Sequence, residues 1–171
     1  MRTAAKEAVI AMFRTFAVVI GLALNPAIAF AQSFQLVGTW KLVAADVVRP
    51  DGRTVEDYGS SPRGIAVFTA DGQYVVEIYR AERTRFASND RTRGTPEEYK
   101  DASLSISTHF GRYPVDEAKG TIAFAITSAS FANLDGTTQV RPFTLEGNSL
   151  TWRVPPRPDG SVPVSRFVRV E

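Results

Sequence analysis

Cysteine is absent from this chain, histidine occurs once, at His109, and methionine and tryptophan occur twice each. Without a thiol there is no thiol nucleophile, no disulfide and no zinc site built on thiolates. A single imidazole also removes metal centres that need several, and no spaced Asp/Asn cartridge suggests calcium. A Gly-x-Ser-x-Gly nucleophile elbow is missing, so serine hydrolysis has little support. The stretch "GSSPRG" reads as a loop, and "TADGQ" as a hairpin rather than a phosphate cradle. No cofactor or metal is expected.

What is present begins with a leader. Arg2, Lys6 and Arg14 form a positive start, "FAVVIGLAL" (16–24) is an uncharged apolar run, and "AFA" (29–31) offers small residues before Gln32. This is the pattern of a secretory signal over residues 1–31, with a second cut position after Ala29. The apolar run is well short of the roughly 18 to 20 residues that a membrane span requires. The expected product is an exported domain, 32–171, in the periplasm or outside the cell, with no membrane span.

The whole chain has 20 Lys+Arg and 18 Asp+Glu. The leader holds three of the former and one of the latter, so seventeen of each remain. A nearly neutral domain argues against a broad nucleic-acid surface. The arginines at 80, 83, 85, 91 and 93 read as a solvated loop.

From residue 38 onward, short β-type runs alternate with turn signals. "GTWKLVAADVV", "GIAVFTA", "QYVVEIYR", "STHFGRYPV", "TIAFAITSA", "TTQVRPFTL", "SLTWRV" and "VPVSRFVRV" are the runs, and Asp71-Gly72 is a strong hairpin signal. The spacing predicts one all-β antiparallel sandwich or barrel. One segment departs: Thr95, Pro96 and Glu98 make a capping box, which predicts a short helix over about 96–105.

The words "LVGTWKL", "SPRGIAVFTADGQYV", "FGRYPVDEAKGTI" and "NLDGTTQVRPFTLEGNSLTW" occur in order across about 36–170. In that order they resemble the bacterial and fungal lipocalin-like domain family, within the lipocalin and fatty-acid-binding barrel superfamily. The resemblance implies an up-and-down barrel of about eight to ten strands that binds a small hydrophobic or amphipathic molecule. It also implies that Gly38-x-Trp40 on the first strand closes one end of the barrel beneath a last-strand arginine. Arg166 is favoured over Arg169 for that place. Related sequences often carry histidine in the strand matching "TIAFAI", where this chain has Phe124 or Ala125.

Ligand-binding candidates follow from chemistry. Arg141 offers a planar fork that matches a carboxylate, or is an exposed barrel arginine. His109 admits three readings: an ordinary strand residue, a cavity-wall donor, or an acid–base group with Glu77 as its first partner to test. Tyr113 shares the His109 face if pairing is regular, although a bulge at Gly111 would shift that parity. On "QYVVEIYR", Tyr74, Val76 and Ile78 read as core, while Glu77 and Tyr79 face either solvent or a polar wall. Asn133 and Trp152 add an amide and an aromatic wall, or else a turn and core packing. No residue is assigned as catalytic. Small-molecule binding leads; an isomerase or cyclase using the same cavity, and an envelope structural protein with a filled barrel, are the alternatives.

Overall fold

The computed structural model describes residues 35–170, and the leader at 1–31 with both cut positions lies outside the described residues. Ten strands form one antiparallel sheet: β1 Gly38–Val48, β2 Thr54–Glu56, β3 Arg63–Phe68, β4 Gln73–Tyr79, β5 Ile106–Arg112, β6 Val115–Asp116, β7 Thr121–Ala129, β8 Thr138–Glu146, β9 Ser149–Arg153 and β10 Val162–Arg169. Eight long strands follow one another around the sheet, and β10 returns to pair with β1. The barrel is therefore closed, which leaves no long edge to template aggregation. The short β2 and β6 pair at its margins, with β1 and β7.

Alternation explains which residues point inward. On β4, Tyr74, Val76 and Ile78 are buried; on β7, Ile122, Phe124 and Ile126 are. Trp40, Phe68, Tyr74, Phe124, Trp152 and Phe167 are each less than 2% exposed and dominate the core.

The capping box forms as expected at the start of α1, Pro96–Leu104, one residue shorter than predicted. Thr95 Oγ1 accepts from Glu98 N at 3.2 Å, and Glu98 Oε2 accepts from Thr95 N at 2.8 Å. No α1 residue is buried. Polar ties hold the helix instead: Asp101 pairs with Arg80 at 3.1 Å and accepts from Thr84 N at 3.0 Å, while Glu98 also accepts from Ala87 N at 2.8 Å. These bonds fold the arginine-rich 80–93 segment beside the helix, with Arg83, Arg85, Arg91 and Arg93 exposed.

At the end of the barrel marked by the β3–β4 hairpin, Trp40 Nε1 donates to Leu36 O at 2.8 Å. The arginine over its ring is Arg169, 4.1 Å from the ring centre, and not Arg166. Arg169 also donates to the carbonyls of Val37, at 2.8 Å, and Gln35. The correction is one of parity: Ser165, Phe167 and Arg169 share the inward side of β10, so Arg166 turns out and meets Asp46 at 3.8 Å. Gly38 is small because Arg169 lies there; a Cβ at 38 would come within 2.8 Å of Arg169 Nη1, on a backbone with φ +132°. Arg169→Ala is expected to cost about 2 kcal/mol, through a cation–π contact and charged hydrogen bonds. Arg166→Ala should stay within about 0.5 kcal/mol, as exposed substitutions do. Urea unfolding of the two variants tests this, and the reverse ranking would return the closing role to Arg166.

Candidate functional site

The other end of the barrel opens into a cavity of about 740 Å³. Ile78, Ile106, Leu134 and Val154 give it apolar walls, Ser107, Thr108 and Ser165 add hydroxyls, and His109, Gln139 and Arg141 lie at its inner end. Asp46 and Asp57 also line it, each facing an arginine, Arg166 and Arg157, and this mix of apolar and polar wall suits a small amphipathic molecule. A separate cleft of about 510 Å³ lies outside, between Arg63, Arg83, Arg85 and neighbouring loop residues.

Arg141 lies on β8 facing inward and is 4% exposed. Its guanidinium carbon is 4.4 Å from the Phe124 ring centre and 5.9 Å from that of Trp152, so aromatic faces support the cation. Nη2 donates to Gln139 Oε1 at 2.7 Å and to His109 Nε2 at 3.1 Å. Nε is buried with no acceptor among the described residues, and Trp152 Nε1 is in the same state. No carboxylate of the described residues pairs with this guanidinium. Burial pulls the Arg141 pKa down to about 10, with the Tyr74 hydroxyl opposing. At neutral pH the group still carries its charge.

His109 is fixed from both sides. A guanidinium can only donate, so Nε2 must be the unprotonated nitrogen; Nδ1 then holds the proton and donates to Tyr74 Oη, 2.9 Å away. Burial, and then Arg141, push the His109 pKa down to about 3, while burial raises Tyr74 to about 12 against the effect of Arg141. With its lone pair already engaged, His109 has no free base to offer a substrate. It is a wall residue that positions Arg141.

This burial has a pH signature. The unfolded chain takes up the His109 proton near 6.5, but the folded chain does so only near 3. Stability associated with the neutral ring is complete above about pH 6.5 and is lost as pH falls toward 3. Between pH 7 and pH 5 the loss is about 2 kcal/mol, most of which a His109→Gln protein should lack. Urea unfolding at both pH values measures it, and equal losses in the two proteins would contradict this assignment.

The remaining candidates lie elsewhere. Glu77 and Tyr79 face outward, with Tyr79 Oη donating to Glu77 Oε2 at 3.3 Å and Arg83 over the Tyr79 ring at 5.2 Å. Alternation excludes them from the cavity, since Tyr74, Val76 and Ile78 hold the inward places. Tyr113 does share the inward side with His109, because the bulge between Phe110 and Gly111 leaves its extra residue, Thr127, on β7. Tyr113 lies at the closed end, however, donating to Thr69 O at 2.7 Å and packing on Phe68 at 4.8 Å. Asn133 is exposed on a 3-10 turn, Ala132–Leu134, whose Leu134 is the residue that reaches the cavity. Trp152 packs on Phe167 at 4.4 Å, beneath Arg141 rather than along the cavity wall. Gln139 and Tyr74 are the site residues that sequence reasoning missed. Gln139 stands two residues from Arg141, and so on its face, which is the signal that could have found it.

No curated protein matches the chain. Among solved structures, it is similar to an uncharacterized protein from Bacteroides eggerthii DSM 20697, with 16% identity, 77% of this chain and 98% of that chain covered, and a TM-score of 0.37. It is also similar to a mutant of the fluorescent protein UnaG, with 14% identity, 80% and 96% covered, and a TM-score of 0.35. The profile of the lipocalin-like domain matches residues 37–169. The chain belongs to the lipocalin-like domain family.

Proposed function

We propose that this protein, exported after loss of its leader, binds one small amphipathic molecule non-covalently, with an acidic group against Arg141. What carries the reading is a charge without a counter-ion among the described residues: a buried guanidinium at the inner end of a cavity with apolar and polar walls, bonded through its Nη2 to a histidine and an amide. A buried cation normally has an anionic partner, because desolvation is costly. A ligand oxygen would complete the site, and the apolar walls would take up the rest of the molecule. Among the described residues no helix is long and apolar enough to cross a membrane, and no group of three or more metal-ligating side chains converges.

A fluorescent titration tests the proposal. The probe 11-(dansylamino)undecanoic acid should bind saturably at one site, with a blue-shifted emission and a Kd in the micromolar range or tighter. Its methyl ester should bind more weakly, and equal binding of the two would remove Arg141 as the anchor.

A further inference from the structure

A carboxylate can bridge a guanidinium in two ways, end-on through Nη1 and Nη2 or side-on through Nε and Nη2. Both use Nη2. Both Nη2 hydrogens of Arg141 are committed within the protein, one to His109 Nε2 and one to Gln139 Oε1. An acidic ligand therefore meets a guanidinium whose shared nitrogen is occupied by the protein itself.

The two occupants differ in how firmly they are held. His109 is 5% exposed, and its far nitrogen is tied to the buried Tyr74 hydroxyl at 2.9 Å. Gln139 is partly exposed, lines the cavity, and reaches Arg141 from two residues along the same strand. Only its carbonyl oxygen can face a group that donates alone, so Gln139 presents a neutral oxygen at 2.7 Å where a ligand oxygen would lie. A carboxylate oxygen is the stronger acceptor for a guanidinium, because charge-assisted bonds exceed those to neutral oxygens.

We infer that Gln139 is a specificity-determining placeholder: its amide oxygen occupies Arg141 Nη2 and yields it to an anionic oxygen of the ligand. This rests on the reading of Arg141 as the ligand anchor. The amide keeps the buried cation partnered until a ligand binds, and it sets a threshold that neutral head groups fail to pass. An ester or alcohol offers no better acceptor than the one it must displace; a singly charged carboxylate does. The ligand class is therefore the monoanionic amphiphile, one negative charge against one buried positive charge.

Two near-isosteric variants make opposite changes at this position. Gln139→Met removes the competing oxygen, and Gln139→Glu supplies a permanent internal counter-ion. With 11-(dansylamino)undecanoic acid and its methyl ester as probes, Gln139→Met should tighten the acid about fivefold and the ester at least as much, since neither head group then has an amide oxygen to displace. Gln139→Glu should weaken the acid by about tenfold or more, with little change in the ester. Near-ultraviolet circular dichroism of each variant checks that the barrel packing is unchanged. A Gln139→Met protein that loses acid affinity would show that Gln139 supports the bound ligand rather than competing with it. A Gln139→Glu protein that binds the acid as well as wild type also overturns the placeholder. If wild type itself does not distinguish acid from ester, the Arg141 anchor fails first; a wild-type preference that both variants retain overturns Gln139 alone.

Discussion

An Arg141→Met protein should bind 11-(dansylamino)undecanoic acid about a hundredfold more weakly than wild type, a loss of about 2.8 kcal/mol. Its affinity for the methyl ester should hardly change. The magnitude is that of a desolvated charged hydrogen-bond pair, for which losing one partner costs about 2–5 kcal/mol. The methionine stem can occupy the space over Phe124, where the guanidinium now lies at 4.4 Å. Two opposing terms act on stability. Releasing an unpaired buried charge favours the variant by about 1–4 kcal/mol, and leaving His109 Nε2 without its donor costs about 1–3 kcal/mol. The fold is retained, so a change in affinity reports the site. Loss of acid and ester binding in equal measure would mean that Arg141 shapes the cavity rather than anchoring a charge.

The second large effect is in the backbone. Gly111→Ala should destabilise the barrel by about 3 kcal/mol, in the range of severe overpacking. A Cβ at 111 would lie 2.0 Å from the Ala125 carbonyl oxygen and 2.9 Å from Thr127 N, both backbone atoms of the facing strand. Gly111 is buried and sits at the bulge, where β5 and β7 slip by one residue. Strand β7 would have to move away, and His109, two residues along β5, would move with the joint. Chemical denaturation should show a lower midpoint with an unchanged slope. A midpoint equal to that of wild type would mean that the two strands do not approach as closely as described.

The fold was legible because local signals agreed with one another. Asp71-Gly72 forms its hairpin, the capping box at Thr95 and Glu98 forms its helix, and most of the β runs become strands with bounds close to those expected. Closure of the barrel came from the resemblance, since alternation alone suits a sandwich equally well.

The site was harder to read, for a physical reason. A barrel's outer surface carries apolar residues too, and here Val140, Phe110 and Val75 are 54%, 49% and 42% exposed. An exposed valine beside Arg141 conceals which side of β8 is inward. Glu77 and Tyr79 were placed on the correct strand, but the choice between a wall and solvent depended on parity that Tyr74 and Ile78 already fixed. The Arg166 assignment failed in the same way, since Phe167 marks the inward set on β10. Period-2 spacing joins Gln139 to Arg141 on β8, but no sequence pattern joins Tyr74 and His109 to them. They meet because β4, β5 and β8 curve around one closed core, a long-range consequence of the fold.

The most direct measurement is native mass spectrometry of the protein purified from its own cells, followed by analysis of whatever leaves on denaturation. The expected result is a single added mass of a few hundred daltons, released as one organic acid and absent from Arg141→Met. A bare polypeptide mass, together with no saturable uptake of the dansylated acid, would contradict a barrel that holds a small anionic molecule.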